Sequence, residues 1–333
     1  MNKFYDIGTS DILGSRGNQE DSYIVTDPGA SNEAFDTLDH LLVVLADGVG
    51  GEAAGEVASK TVTNCFSRTI QSAYSSSNNI PKLLNNALHG ANQAVAKAIS
   101  ENSDYEGMAS TLVGALLIRE RLYWVSVGDS HLYLIRDGSC IKLNADHSLG
   151  AIMDRNVDTG LISKSQAVNA PNRNMLYSCV MGEELAAIDL PKKEFSLQKG
   201  DRLLFSSDGL DSISSRDIGR ISANDGSAQH FAVALTAAVE KADKPNQDNT
   251  MVVVVDIVGG NKSQNEEKTV PTAKKTRKTL IMTIILFIIL AIFALYYFQQ
   301  PAPHKQSESN AETPIPKNNE KDDKLKLKSI PGS

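Results

Sequence analysis

The sequence predicts an α+β fold in which antiparallel sheets carry helices on their outer sides. Short aliphatic and β-branched runs, bounded by Gly, Asp and Ser, recur along residues 1–260 and indicate strands. Two long stretches with helical spacing follow one another between the early strands and a run of three further strands. This order differs from the strict strand–helix alternation of a doubly wound parallel sheet.

Six strands and three helices are clear from these patterns. The strands are predicted at His40–Ala46, Thr111–Ile118, Leu122–Val127, His131–Ile135, Arg202–Ser206 and Met251–Val258. The helices are predicted at Glu56–Ala73, Pro81–Ser100 and Ala228–Lys241. Asp137–Gly138 joins two strand-like runs and predicts a hairpin turn, because Asp-Gly is a common hairpin connection.

Composition narrows the function. The 333-residue chain is 41% hydrophobic and carries a net charge of -7, which argues against nucleic acid as the main partner. Its three cysteines, Cys65, Cys140 and Cys179, are widely spaced and form no CxxC pair. We therefore expect free thiols, with neither a zinc site nor a disulfide framework.

Residues 280–298 form an uncharged apolar segment that is long enough to cross a membrane as a helix. At about 1.5 Å per residue it would span a hydrocarbon core of roughly 30 Å. The basic residues Lys274, Lys275, Arg277 and Lys278 precede it. Because basic flanks favour the cytoplasmic side, residues 1–260 are expected in the cytoplasm. A buried core helix is the alternative, but the segment is apolar all round.

The chain is therefore predicted to have four parts. Residues 1–260 form a domain of catalytic size, and residues 261–279 form a basic linker. Residues 280–298 form the transmembrane helix, and residues 299–333 form a disordered polar tail. The N-terminus lacks the apolar region of a signal peptide.

Acidic residues recur at the ends of the most apolar strands. Asp47 follows LLVVLA, Asp129 follows LYWVSV, Asp208 follows RLLFSS, Asp248 precedes MVVVVDI, and Glu20 with Asp21 precedes SYIV. Each one alone could be an ordinary turn residue. Central strands are expected to end near one another, so the joint pattern predicts one acidic cluster.

Such a cluster needs cations or protons, because several carboxylates within a few ångströms repel one another. Oxygen ligands suit Mg²⁺ or Mn²⁺, and no His/Cys set favours zinc. Two such ions can deprotonate a water and place it in line with a phosphorus atom. Gly48 would allow a backbone carbonyl to approach a metal. Arg16, four residues before Glu20, is suited to bidentate contact with phosphate.

At these residues the sequence resembles the type 2C (PPM) family of metal-dependent protein serine/threonine phosphatases. The matching motifs are RxxxED at 16–21, DGVGG at 47–51, GDS at 128–130, DHS at 146–148, SDG at 207–209 and DNT at 248–250. They occur in the family's order and cover essentially all of residues 7–258.

The resemblance implies a four-layer α-β-β-α sandwich of two antiparallel sheets, with two Mn²⁺ or Mg²⁺ ions at one edge. Asp47 would bridge both ions, Asp208 and Asp248 would complete one coordination sphere, and Glu20 with the Gly48 carbonyl would serve the other. Asp129 matches a residue that helps to bind a third, weaker metal. Arg16 would hold the substrate phosphate, and residues 150–172 correspond to a variable flap that shapes substrate access.

Two positions depart from the family pattern. Many eukaryotic members carry His directly after the DG, positioned to protonate the leaving alkoxide, whereas this chain has Val49. The acid usually found four residues after the SDG aspartate is Ser212, and Asp211 comes one residue earlier, which leaves an outer-shell role for Asp211 open. His147 is expected to have a structural hydrogen-bonding role.

The resemblance implies direct attack of a metal-bridging hydroxide on phosphoserine or phosphothreonine in proteins, without a phosphoenzyme. It also suggests a bacterial inner-membrane protein that opposes a serine/threonine kinase, with the C-terminal tail on the far side of the membrane. One alternative is a pseudophosphatase that serves as a membrane-tethered binding module. Another is a different two-metal hydrolase, which would be expected to bring His ligands or a basic groove. A purely structural anchor would leave the carboxylates unexplained.

Overall fold

The computed structural model describes residues 4–28, 39–75, 79–224 and 226–259. The chain divides into two compact units, Met1–Ser263 and Gln264–Ser333, and every element below belongs to the first. The predicted linker, transmembrane helix and tail at 261–279, 280–298 and 299–333 lie outside the described residues. Among the helices within the described ranges, none is both long enough and apolar enough to span a membrane.

Two antiparallel sheets form the centre of the first unit. In spatial order, the first sheet contains β1 (Tyr5–Ile12), β11 (Thr250–Ile257), β10 (Arg202–Ser206), β7 (His131–Arg136) and β8 (Ser139–Lys142). The second contains β2 (Asp21–Thr26), β3 (His40–Val49), β5 (Leu112–Ile118), β6 (Arg121–Val127) and β9 (Phe195–Ser196), with the short β4 (Ala109–Ser110) paired to β3.

Helices cover the outer faces of the two sheets: α1 (Glu52–Ala73), α2 (Ile80–Glu101), α5 (Ser215–Ser222) and α6 (Ala228–Ala242). Two further helices, α3 (Leu149–Asp158) and α4 (Lys164–Val168), lie between β8 and β9 in the sequence and pack against each other. Two short 3₁₀ helices span Ser103–Tyr105 and Asp208–Ser212. Helices α1 and α2 pack on the second sheet, and α5 and α6 pack on the first.

The alternation of side chains along β3 shows how the layers are held together. Leu41, Val43 and Leu45 enter the core between the two sheets, together with side chains from β10 and β11. Leu42 and Val44 enter the core beneath α1 and α2. Because successive strand residues point to opposite faces, an unbroken apolar run such as this one is typical of a strand buried on both sides.

The predicted architecture is confirmed: the fold is α+β, with two antiparallel sheets between helical layers. All six predicted strands and all three predicted helices are present. The hairpin is also confirmed, since Asp137 and Gly138 have φ angles of 52° and 74° between β7 and β8. Strand β1 was missed, although it pairs with β11 over eight residues.

Candidate metal and phosphate site

The ends of strands from both sheets surround a cavity of about 430 Å³. Strands β3 and β10 end there, and β2, β7 and β11 begin there. All seven residues predicted for the site line this cavity: Arg16, Glu20, Asp47, Gly48, Asp129, Asp208 and Asp248. The structure therefore brings together residues that are up to 232 positions apart in the sequence.

Asp47 lines the cavity, and the buried Asp21 lies opposite it on the neighbouring strand. The register of β3 and β2 places both carboxyl groups at the same end of the second sheet. Asp21 is 4% exposed and accepts a hydrogen bond of 2.7 Å from Ser207 Oγ. Burial, together with the charges of Asp208 and Asp248, raises the pKa of Asp21 to about 7 despite that hydrogen bond.

The pKa values of Asp47, Asp129 and Asp208 are also raised. Burial is the main cause for Asp47, followed by the charges of Asp21 and Asp208, and its pKa lies well above the ordinary range. Burial and the charge of Asp208 raise the pKa of Asp129 to about 8. Burial and the charge of Asp248 raise the pKa of Asp208. All of these shifts indicate negative charge that the surrounding protein does not neutralise.

Gly48 is held in a space that no other residue could occupy. A Cβ atom at this position would lie 2.0 Å from the carbonyl oxygen of Gly55 and 2.8 Å from that of Glu20. Its amide donates to the carbonyl oxygen of Glu20 at 3.2 Å. The glycine therefore lets β3, the start of α1 and the segment before β2 meet beside Asp47.

Arg16 lies at the rim of the cavity and contacts Asp248. Its Nη2 donates to Asp248 Oδ2, and the two side chains are 47% and 38% exposed. Partial burial works against the charged form of Arg16, but the hydrogen bond and charge of Asp248 outweigh it and raise the pKa. The guanidinium is thus charged, open to solvent and placed beside the acidic cluster, where a phosphate group would enter.

Asn249 connects the two loops that carry the rim residues. Its Oδ1 accepts from the amide of Glu20 at 2.9 Å, and its Nδ2 donates to the carbonyl oxygen of Leu13 at 2.9 Å. Its own amide donates to Asp248 Oδ1 at 2.8 Å. One buried amide side chain therefore fixes the loop that carries Arg16 and Glu20 relative to Asp248.

Sequence reasoning assigned no role to several of these supporting residues. Asp21 was noted beside Glu20 but was not selected, Ser207 was considered only as a nucleophile and rejected, and Asn249 was seen only as part of a motif. The sequence carried one signal, because each of these residues lies next to a predicted ligand. The structure adds that all three are buried. Asp211 was left open; its Oδ1 lies 2.9 Å from Nε2 of buried His131.

The cluster fits two hard divalent cations by the chemistry of its donors. Its oxygen ligands come from carboxylates and a backbone carbonyl, and within the described ranges no Lys or Arg forms a salt bridge with Asp47, Asp129 or Asp208. The carboxylates are not preset as a coordination shell: no group of three or more His, Cys, Asp or Glu side chains in the described residues has that arrangement.

Comparison with known proteins agrees with this reading of the site. A sequence model of the family described as protein phosphatase 2C matches residues 32–244. The serine/threonine protein phosphatase PstP of Mycobacterium tuberculosis is 34% identical over 181 residues, which are 54% of this chain and 34% of PstP. The serine/threonine phosphatase stp of Listeria monocytogenes is 33% identical over 171 residues, 51% of this chain and 66% of that protein. The matched region thus spans only about a third of PstP.

Solved structures share the fold. The crystal structure of the catalytic domain of PstP in complex with two manganese ions has a TM-score of 0.62 at 28% identity, and the match covers 77% of this chain and 99% of that one. The structure of the phosphatase Stp1 from Staphylococcus aureus has a TM-score of 0.64 at 27% identity, covering 76% and 95%. Since the family model covers more than half of the chain and the motifs meet in one cavity, this protein belongs to the protein phosphatase 2C family.

Proposed function

We propose that this protein hydrolyses phosphoserine and phosphothreonine in other proteins, with Mn²⁺ or Mg²⁺ as its cofactor. The observation that carries the proposal is the cavity itself, in which the guanidinium of Arg16 lies beside Asp47, Asp208 and Asp248. A positive group for phosphate next to acids for cations is the combination that phosphate ester hydrolysis requires.

The residues of the site divide the work between them. Asp47, Asp208, Asp248, Glu20 and the Gly48 carbonyl would hold two cations, and Asp129 with Asp208 would hold a third. When bound, the cations would polarise and deprotonate an attacking water and offset the charge of the phosphate. Arg16 would bind two phosphate oxygens through its planar guanidinium and orient the phosphorus toward the acids.

Val49 occupies the position at which many eukaryotic members of the family carry a histidine that acts as general acid. Its side chain is 48% exposed and lines the cavity, but it has no proton to donate to a leaving alkoxide. A positioned general acid typically contributes about 10²- to 10⁴-fold. We expect this chain to work without that contribution from position 49, so good leaving groups such as p-nitrophenolate should be favoured.

The proposal is tested by hydrolysis of p-nitrophenyl phosphate and of a phosphothreonine peptide by the purified full-length protein. Turnover should require Mn²⁺ or Mg²⁺, stop with EDTA, and be lost in Asp208→Asn. Absence of turnover in a folded, metal-loaded sample would overturn the proposal and favour a binding module of the same fold.

We further propose that residues 280–298 anchor the protein in a bacterial inner membrane as a single span, with residues 1–260 in the cytoplasm and residues 299–333 on the other side. The uncharged apolar run and its basic N-terminal flank support this. Membrane fractionation should find the full chain in the membrane and a chain ending at residue 263 in the soluble fraction. Equal solubility of both chains would contradict the anchor.

The proposed substrates are phosphoproteins, and the proposed opposing enzyme is a serine/threonine kinase. The absence of a basic groove among the residues that line the cavity supports protein rather than nucleic acid as substrate. Cells that carry Asp208→Asn in place of the unchanged protein should contain more phosphoserine and phosphothreonine than cells with the unchanged protein, as measured by phosphoproteomics. An unchanged phosphoproteome would contradict this.

A further inference from the structure

Backbone pairing between residues 148–150 and 173–177 closes the base of the flap at residues 150–172, and these two paired segments are called the flap base. Ser148 pairs with Leu176, and the amide of Leu149 donates to the carbonyl oxygen of Met175 at 2.9 Å. The amide of Gly150 donates to the carbonyl oxygen of Arg173 at 2.7 Å. This pairing brings Met175 and Leu176 to the wall of the cavity, so the flap base forms part of the site.

His147 immediately precedes the first segment of the flap base. It forms hydrogen bonds with Tyr177 at the flap base and with Gly128 in the turn before β7. On one side, its carbonyl oxygen accepts from the amide of Tyr177 at 2.9 Å, and its ring lies edge-on to that of Tyr177 with centroids 5.7 Å apart. On the other side, its Nδ1 accepts from the amide of Gly128 at 3.1 Å, and its own amide donates to the carbonyl oxygen of Gly128 at 3.0 Å.

Gly128 is the residue that aims Asp129 into the cavity. Its φ angle is +100°, and a Cβ atom there would lie 2.7 Å from Thr111 Cγ2. A turn this tight has little freedom to find another acceptor for its amide, so the Nδ1 atom of His147 is the group that fixes it. His147 is 3% exposed, and burial lowers its pKa, which favours the neutral ring with a free Nδ1 lone pair.

We propose that His147 is a positioning residue that fixes the base of the flap and the Gly128–Asp129 turn relative to each other. The flap base would contact the polypeptide part of a substrate, and the turn carries the carboxylate of Asp129. The side chain of His147 contacts both and so holds them in a fixed relative position. The proposal rests on the proposed function only where it concerns catalysis, since the structural link can be measured without turnover.

Two substitutions separate the ring from its nitrogen. His147→Phe keeps an aromatic ring against Tyr177 but removes the acceptor for Gly128. His147→Asn loses the ring but places an amide oxygen near the position of Nδ1, where it can accept the same hydrogen bond. His89→Phe, on the exposed face of α2, makes the same chemical change away from the site and is the matched control.

Amide hydrogen exchange of the full-length protein is the first readout. His147→Phe should speed exchange about tenfold at Gly128 and in the flap base at 148–150 and 173–177, as expected for one lost hydrogen bond. Exchange in β3 should not change. His147→Asn should restore protection at Gly128. Equal exchange in His147→Phe and His89→Phe would overturn the proposal, and so would a uniform rise across the domain.

Turnover is the second readout. His147→Phe should lower kcat/KM for a phosphothreonine peptide by about 10- to 100-fold and for p-nitrophenyl phosphate by less, because the flap meets only the larger substrate. His147→Asn should recover most of the peptide activity. No recovery in His147→Asn, or an equal loss in His89→Phe, would overturn the positioning role. If the unchanged protein hydrolyses neither substrate, the proposed function fails, and the exchange pattern alone decides the role of His147.

Discussion

Both ends of the first sheet carry aspartates beside a cavity, but only at one end do arginines bind aspartates through paired hydrogen bonds. The cavities are of similar volume, about 430 and about 410 Å³. At the far end, Asp201 and Asp256 line the cavity, and each is held by two hydrogen bonds from one arginine. Arg136 reaches Asp201 at 2.7 and 2.6 Å, and Arg202 reaches Asp256 at 2.5 and 2.6 Å.

At the predicted site the acids have no such partners. Within the described ranges, no arginine or lysine forms a salt bridge with Asp47 or Asp208, and the single arginine at the rim contacts Asp248. Burial and mutual repulsion therefore raise the pKa of Asp47 and Asp208. The comparison teaches that this fold can neutralise strand-end aspartates with its own side chains, so an end left acidic indicates an external cation.

The largest expected difference between the two ends is catalytic. Asp47→Asn should reduce kcat/KM for p-nitrophenyl phosphate by at least about 10³-fold, since a metal contributes several kcal/mol of charge stabilisation. Asp256→Asn removes a charge of the same type at the far end and should leave kcat/KM within about threefold. Equal losses in both variants would show that the ends are not functionally distinct.

Substitutions at the two ends should have the opposite ranking in their effects on stability, with the larger loss at the arginine-paired end. Arg202→Met should lower the free energy of unfolding by about 3 kcal/mol, because it leaves the carboxylate of Asp256 mostly buried without its partner. The guanidinium carbon of Arg202 also lies 4.5 Å from the centroid of the Phe231 ring, and this cation–π contact would be lost too. Chemical denaturation in EDTA measures the change, and Asp47→Asn should stabilise the metal-free protein in the same assay. Destabilisation by Asp47→Asn would contradict the account of repelling acids.

Arg16 tests the rim of the site rather than its acidic cluster. Arg16→Ala should lower kcat/KM for the phosphothreonine peptide by about 10- to 100-fold through lost hydrogen bonds to phosphate. Arg16→Lys keeps the charge but not the planar fork, so it should recover only part of that loss. Full activity in Arg16→Ala would exclude a role in phosphate binding.

The last prediction concerns the pH dependence of stability without metal. Asp21 and Asp129, with pKa values of about 7 and about 8, keep protons in the folded protein that the unfolded chain releases near pH 4. The folded state then binds more protons between those values, so the free energy of unfolding falls as pH rises from about 4 to 8. Thermal denaturation in EDTA at pH 5 and pH 8.5 should show this fall.

Asp21→Asn supplies the control for that experiment. The variant should show a smaller fall between pH 5 and pH 8.5, because one of the titrating groups is gone, and Mn²⁺ should restore the stability of the unchanged protein at pH 8.5. A metal-free protein that becomes more stable as pH rises, with no difference in Asp21→Asn, would contradict the raised pKa of this carboxyl group.

Much of this arrangement was predictable from the sequence because it depends on local patterns. Apolar runs identified β3, β5 and β11, and the aspartates at strand ends identified the acidic cluster. What could not be predicted depends on contacts between distant segments. The link from Asn249 to Leu13 joins residues 236 positions apart, and the arginine partners of Asp201 and Asp256 became visible only from the strand pairing.

Strand β1 and the support around Asp129 show the same limit. The run YDIGTSDI has too few apolar residues to indicate a strand, and it becomes one by pairing with β11 along its whole length. His147 was expected to have a structural role, but its partner was not predictable. The bond from the Gly128 amide to Nδ1 depends on how the flap base packs beside the turn.

The central claim is that the acidic end, and not the arginine-paired end, binds divalent cations. Calorimetric titration of the full-length, metal-free protein with Mn²⁺ tests it most directly, with Asp47→Asn and Asp256→Asn as the matched pair. We predict at least two Mn²⁺ ions for the unchanged protein and for Asp256→Asn, and loss of this binding in Asp47→Asn. Absence of Mn²⁺ binding to the unchanged protein, or equal loss in both variants, would contradict the claim.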